Sequence, residues 1–527
     1  MSSILILFLI FYLILAKIRL DWAIMLFLFA LPSYQIRFDC FGVPATLLEA
    51  MILISFAVWL FKNYKKIIKN VKIKLKNPPA RGWSASGGKS GRYPFDIEII
   101  LMLLIAFVSI AIAGFTDPAF GVFKAYFFES VLVFILIINV FLNKELRSEA
   151  SELSSLFKKT FWPLAFSAFF VSFYAILQKI GLLYSPENFL PRVTGTFFYP
   201  NALGLYLGPI LIVMIGFFLH GIKKIQDTRY KIQTNSKSQI TNSKQIYPLS
   251  EYRQILFILA TIILSLLAIF FAKSEGALIG IFVALFIMLL VWLFNKFSFS
   301  SPRLVRLGRI IPKIIISFIL IFAITSPFIY LKIIPEHKYF NFNSNTLNYI
   351  SDKTMLKDFS GEVRKQQWRE TWQFLSASPK NFIFGAGLSG YQKAIKPYHQ
   401  EGIFFNSERD IDFRRKLVLF DEKYKAAHWR PVEIYMYPHN LILNFWVELG
   451  LAGVLLFVWI IGKMVFLSIK QDKFIVLGLL GAVMVIVVHG LVDVPYFKND
   501  LAVMFWVFAA VLGMTNLDNK KLDKKSS

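Results

Sequence analysis

The chain has a single cysteine, Cys40, and only six histidines; its 32 acidic residues face 58 basic ones. One cysteine excludes an internal disulfide. The N-terminus lacks a basic n-region and a small-residue cleavage site, so no removable signal peptide is expected. A phosphate-binding loop is missing too. The stretch RGWSASGGKSGR (81–92) suggests one, but the GxxxxGK[ST] pattern needs a glycine where Trp83 stands, and no strand precedes it. The net charge of +26 does not imply nucleic acid, because the basic clusters lie between apolar segments, as membrane anchors do.

What the chain has in excess is apolar sequence. It is 56% hydrophobic over 527 residues, with a mean hydropathy of +0.58. That composition implies an all-α polytopic membrane protein. Apolar runs predict spans near 3–16, 22–33, 46–61, 97–114, 122–142, 161–180, 201–220, 254–271, 276–294, 311–331, 440–466, 474–491 and 500–514. The first two are short, a hairpin or one interrupted element, so 12 or 13 spans are expected. Residues 62–95 carry ten Lys and Arg and no acid up to Pro94, which makes that loop cytoplasmic. Alternation then puts 143–160, 221–253, 295–310 and the Lys-rich tail 516–527 on the same side. The domain reading is a membrane bundle over 1–331, a large extracytoplasmic loop domain over 332–439, and C-terminal membrane helices over 440–515. Loops this long usually carry function.

Glu49, Lys124, Glu129, Glu275, Glu448 and Asp493 all fall near the outer ends of these spans. Single interfacial side chains of this kind snorkel. Snorkelling predicts no preference for one face, whereas a polar cavity open on the outer side does. Asn440, Asn444 and Glu448 are spaced i, i+4, i+8 and share one helix face, read here as the cavity wall. His439 stands at the start of that helix. Its N-terminus either presents N–H groups to an anion such as pyrophosphate or is closed by Asn440 as N-cap. Asp410-x-Asp412 is a possible divalent-metal pair, but with Arg409, Arg414 and Arg415 around it an ion-paired surface is expected. No metal site is expected.

Three stretches, taken in order, resemble the O-antigen ligase/polymerase superfamily of bacterial membrane glycosyltransferases. They are PRVTGTFFYPNALGLYL (191–207), GEVRKQQWRETWQFLSASPKNFIFGAGLSGY (361–391) and PHNLILNFWVELGLAG (438–453). The resemblance implies a GT-C-like architecture in the bacterial cytoplasmic membrane. The implied donor is a glycan on a polyprenyl pyrophosphate, the acceptor a hydroxyl on glycan, lipid or protein, and no cofactor is needed. Arg192 matches the family's outer-loop arginine and would bind the pyrophosphate; His439 matches its histidine and would activate or orient the acceptor. Arg364 would contact the donor or anchor the loop. One position departs: in KSEGALIG (273–280) the family's arginine is Glu275. A carboxylate cannot bind pyrophosphate directly, so Lys273 is the candidate for the missing charge, and Glu275 would hold Arg192 or bind an acceptor sugar. Asn440, Asn444, Glu448 and Glu129 complete the expected substrate-binding set. The GxxxG of Gly276 and Gly280 reads as close helix packing. The competing function is a transporter or flippase of the same lipid-linked glycan, which should line both membrane faces with charge and show inverted repeats.

Overall fold

The computed structural model describes residues 3–40, 42–76, 94–141, 149–235, 249–298, 356–408, 410–419, 422–469, 471 and 473–526. The expected span at 311–331 and the loop segments 77–93 and 236–248 lie outside the described residues. Those described form an all-α polytopic membrane protein. Its helices are α1 (Ser3–Ile18), α2 (Leu20–Phe29), α3 (Leu47–Lys76), α4 (Asp96–Ile112), α5 (Asp117–Phe141, with one π-helical stretch at Phe123–Phe128), α6 (Glu149–Lys179), α7 (Pro200–Asn235), α8 (Leu249–Phe271) and α9 (Glu275–Ser298). After the undescribed stretch come α10 (Phe359–Ser376), α11 (Pro379–Phe384), α12 (Leu441–Ile469), α13 (Phe474–His489) and α14 (Asn499–Ser526). Seven of these, within α3, α5 to α9 and α12, are long and apolar enough to cross a membrane; α1, α2, α13 and the Asn499–Thr515 part of α14 are shorter apolar helices. α1 and α2 are separate, broken at Arg19 and tied by the Tyr12 hydroxyl, which donates to Ala23 O at 2.9 Å.

α14 sits in the middle. From Leu501 to Leu512 its apolar side chains are buried, and Trp506 and Phe505 meet Phe134, Phe457 and Tyr496 at ring distances of 5.4–5.8 Å. Such pairs add to area burial. α13 is sandwiched between α7 and α9, and glycine sets how closely. A methyl at Gly216 would lie 2.8 Å from Gly478 Cα, and one at Gly276 would lie 2.6 Å from the His489 ring. The Gly276–Gly280 pair is therefore a packing face, as its spacing predicts.

The segment 356–440 is a small layer of its own on one end of the bundle. Asp358 caps α10 by accepting the Gly361 N–H, and Ser378 caps α11 with Pro379 at its first position. A two-stranded hairpin pairs Gly402–Phe404 with Trp429–Pro431, Ile403 opposite Arg430. Glu370 is the buried polar centre: its carboxylate accepts from Gln366 Nε2 and the Gln400 N–H, and meets His399 Nδ1 at 3.2 Å. Asp410 accepts from Lys416 and Tyr424 and is held at a pKa of about 2 by those two bonds, so it is ion-paired as the sequence suggests.

This layer is locked to the bundle through a break in α12. Gly450 leaves the helix (φ 71°, ψ −174°), with Ile383 O and Phe384 packed where a side chain would stand. The break exposes Val447 O, which accepts the Ala386 N–H at 2.7 Å, while Trp446 Nε1 donates to Phe382 O at 2.7 Å. Glu448 accepts the Ser389 N–H. On the other side, Leu388 N–H reaches Ser109 O of α4. The Gly385–Ser389 loop is thus wedged between α4 and α12.

Candidate active site

The turn before α12 is built to hold one side chain. His439 adopts φ +46°, the left-handed region that non-glycine residues rarely occupy. Its neighbours fix it there. Trp368 Nε1 donates to Pro438 O at 2.9 Å, and Leu441 N–H donates to Gly490 O at 2.7 Å. Asn440 Oδ1 accepts the Leu443 N–H and its Nδ2 donates to Leu491 O, both at 3.0 Å. Of the two sequence readings of this helix end, the structure takes the cap: the N–H groups of Leu441, Leu443 and Asn444 are already bonded.

His439 Nδ1 lies 3.0 Å from Gln367 Oε1. An amide oxygen accepts only, so Nδ1 carries the proton and Nε2 keeps its lone pair. Burial pulls the His439 pKa down to about 4; Asp493 opposes this, while Arg364 and Lys498 reinforce it. The ring is neutral at ordinary pH. Tyr435 and Tyr437 stand edge-on to it at 5.3 and 4.9 Å.

Around this imidazole the fold gathers charge from distant segments. Arg364 of α10 donates through Nε to Val492 O at 2.9 Å and through Nη1 to Ser360 Oγ at 2.6 Å. It ties α10 to the α13–α14 turn. In that turn Asp493 is buried. Burial pushes its carboxyl up, but His439, His489, Arg364 and Lys498 outweigh this and hold it below the usual range. Lys498, from the same turn, lies with Nζ 4.0 Å from the centre of the Tyr199 ring. The Tyr199 hydroxyl is 3.2 Å from that of Tyr437. Thus segments 191–200, 356–376, 435–440 and 490–498 converge on one end of the bundle.

Arg192 reaches this end by another route. Its Nε donates to Ala272 O at 2.8 Å and its Nη2 to Asn201 Oδ1 at 2.9 Å, so it clasps the α8–α9 turn to the start of α7. That turn contains exposed Lys273 (φ +50°), and Glu275 opens α9, one residue from the Gly276 that abuts His489. Three expected members lie elsewhere. Glu448 is spent on the Ser389 N–H, Asn444 is buried one turn below the cap, and Glu129 is buried in α5 with neither carboxylate oxygen hydrogen-bonded among the described residues. Glu129 lies within electrostatic reach of Glu49 and Lys124, which form their own 2.6 Å ion pair. The structure therefore separates two groups that the sequence merged into one cavity.

Gln367, Lys498, Tyr199 and Tyr437 are the additions, and Asp493, one of the outer-end charges in the sequence, takes its place among them. Gln367 is one helical turn from Arg364, a spacing already visible in the sequence. Lys498 carries no distinguishing signal in the sequence, and only the fold turns it inward.

Residues 260–458 match the family described as O-Antigen ligase. The match contains the second half of α8, α9, the 356–440 layer and the first half of α12, hence Arg364 and His439. It supports the resemblance to the O-antigen ligase/polymerase superfamily and a glycosyltransferase-type enzyme in general terms. Arg192, Asp493 and Lys498 lie outside it. No curated protein matches the chain.

Proposed function

From an O-antigen-ligase-type membrane chain as premise, we propose that this protein transfers or polymerises a polyprenyl-pyrophosphate-linked oligosaccharide on the outer face of the cytoplasmic membrane, without a metal. The observation that carries the reading is a neutral His439 with its Nε2 lone pair available, beside the cations Arg364 and Lys498. In the reaction the acceptor hydroxyl oxygen attacks the anomeric carbon. The bond from that carbon to the pyrophosphate oxygen breaks, and its electron pair leaves with the pyrophosphate. The hydroxyl proton passes to His439 Nε2. Developing charge on the leaving group is met by fixed cations, Arg192 and Arg364 foremost. Glu275 supplies no such charge; it would serve Arg192 or the acceptor, and exposed Lys273 is the candidate in that turn for the charge that position 275 lacks. Asn440 positions His439 through the cap. The Lys-rich opposite end supports the orientation.

An apolar cavity of about 350 Å³ supports a lipid-borne donor. It is lined by Phe29, Phe170, Val171, Phe173, Tyr174 and Leu177, among others, and reaches Thr196, in the loop that carries Arg192. It would take only the isoprenoid units nearest the pyrophosphate.

The test is reconstitution in liposomes with a polyprenyl-pyrophosphate glycan and candidate hydroxyl acceptors. The expected result is a new glycosidic bond with release of polyprenyl pyrophosphate, at a rate that EDTA leaves unchanged. Movement of intact donor across the bilayer with no new bond would replace this reading with the transporter. A second expectation concerns the tautomer. Gln367→Leu should slow transfer by at least about tenfold, within the ~10⁴-fold bound set by a general-base histidine in the wrong tautomer. Gln367→Glu should stabilise the imidazolium, raise the His439 pKa and move the acid limb of the rate profile to higher pH. An unmoved limb in Gln367→Glu would count against His439 as the base.

A further inference from the structure

We propose that Lys498 binds the phosphate of the lipid-linked donor, supplying from the α13–α14 turn a cation that the α8–α9 turn does not deliver through residue 275. This rests on the donor chemistry of the preceding section and names a residue for it. Three observations converge. First, the Lys498 ammonium is buried and has no hydrogen-bond acceptor among the described residues, although it carries three donors. A buried ammonium in that condition is costly, and an anionic ligand would satisfy it. Second, its only described close partner is the face of Tyr199, at 4.0 Å. A cation–π contact holds the charge in place while leaving its N–H groups to be used. Third, that contact joins it to the cluster around His439. Tyr199 bonds Tyr437, and the Tyr437 ring stands 4.9 Å from that of His439.

The neighbouring carboxylates do not consume it. Asp493 and Asp500 both act on Lys498 electrostatically. Neither makes a hydrogen bond or ion pair to it among the described residues, and Asp493 Oδ1 accepts the Val494 N–H instead. Arg364, by contrast, spends its Nε and Nη1 on Val492 and Ser360. Of the two cations that act electrostatically on His439, Lys498 is the one with no side-chain donor committed to a protein acceptor among the described residues.

The experiment measures binding of geranylgeranyl pyrophosphate and of geranylgeraniol to the purified full-length protein, as wild type, Lys498→Met and Lys498→Arg. Wild type is expected to prefer the pyrophosphate. Lys498→Met should bind the pyrophosphate about tenfold more weakly or worse and the alcohol equally well, and Lys498→Arg should recover most of the loss. Equal pyrophosphate affinity in Lys498→Met and wild type would overturn the proposal while leaving the donor reading intact. Loss of alcohol and pyrophosphate together would also overturn it, by making Lys498 a strut for Tyr199. A wild type that does not distinguish pyrophosphate from alcohol would sink the donor reading itself, and this role with it.

Discussion

His439→Ala is expected to slow glycan transfer by about 10² to 10⁴-fold, the range for a positioned general base. Because His439 sits at φ +46°, alanine there also strains the backbone. His439→Asn is the cleaner variant: asparagine tolerates the left-handed conformation and has no base. Both should lose activity, and Asn should keep the wild-type unfolding temperature more closely. Transfer at the wild-type rate in either would remove His439 from the mechanism. The pH dependence follows in sign. The base works when neutral, and its pKa lies near 4, below the usual value of about 6.5. Activity should therefore persist through pH 5 and fall only as pH approaches 4. The same shift has a stability consequence. The folded state binds this proton more weakly than the unfolded chain, so the stabilisation is complete above about pH 6.5 and declines as pH falls from there toward 4. His439→Asn should flatten that part of the unfolding-temperature profile.

Gly385→Ala is expected to destabilise the protein by about 3 kcal/mol and to abolish transfer with it. Gly385 has φ +68° and ψ −150°, a region essentially reserved for glycine. A methyl there would lie 2.3 Å from Val447 O, the oxygen that the adjacent Ala386 N–H must reach. The wedge would be driven out of the α12 break, and the whole 356–440 layer rides on that wedge. Gly462→Ala is the matched control, since a methyl there meets nothing within 4 Å. Thermal unfolding of the two variants side by side decides the matter; equal unfolding temperatures would mean that the wedge does not bear on stability.

Seven of the expected spans were legible because hydropathy reports burial from water, and lipid and protein interior look alike to it. α12 shows where that signal stops. Its apolar run is continuous through Gly450, so nothing in hydropathy marks a helix broken and recapped from outside. The i, i+4, i+8 pattern of Asn440, Asn444 and Glu448 identified a shared face correctly but not what that face meets. Asn440 caps, and Glu448 grips a loop from 59 residues upstream in sequence (Ser389), a contact that spacing along one helix cannot encode. His439 and Arg364 were legible because each lies in a stretch with family-like neighbours. Lys498 was not, because a lysine beside a membrane helix has the same sequence signature whether it turns to water or to Tyr199.

The order of synthesis gives the α13–α14 turn a further meaning. Arg364 and the Asn440 cap both lean on carbonyls of Val492 and Leu491, and Asp493 and Lys498 come from the same turn. Without α13 and α14 the chain would keep the contacts of Arg192 with Ala272 and Asn201 and of His439 with Gln367, but Arg364 and the Asn440 cap would lose the carbonyls of Val492 and Leu491. The α13–α14 hairpin thus completes the candidate site from a part of the chain that is translated after the histidine and both arginines.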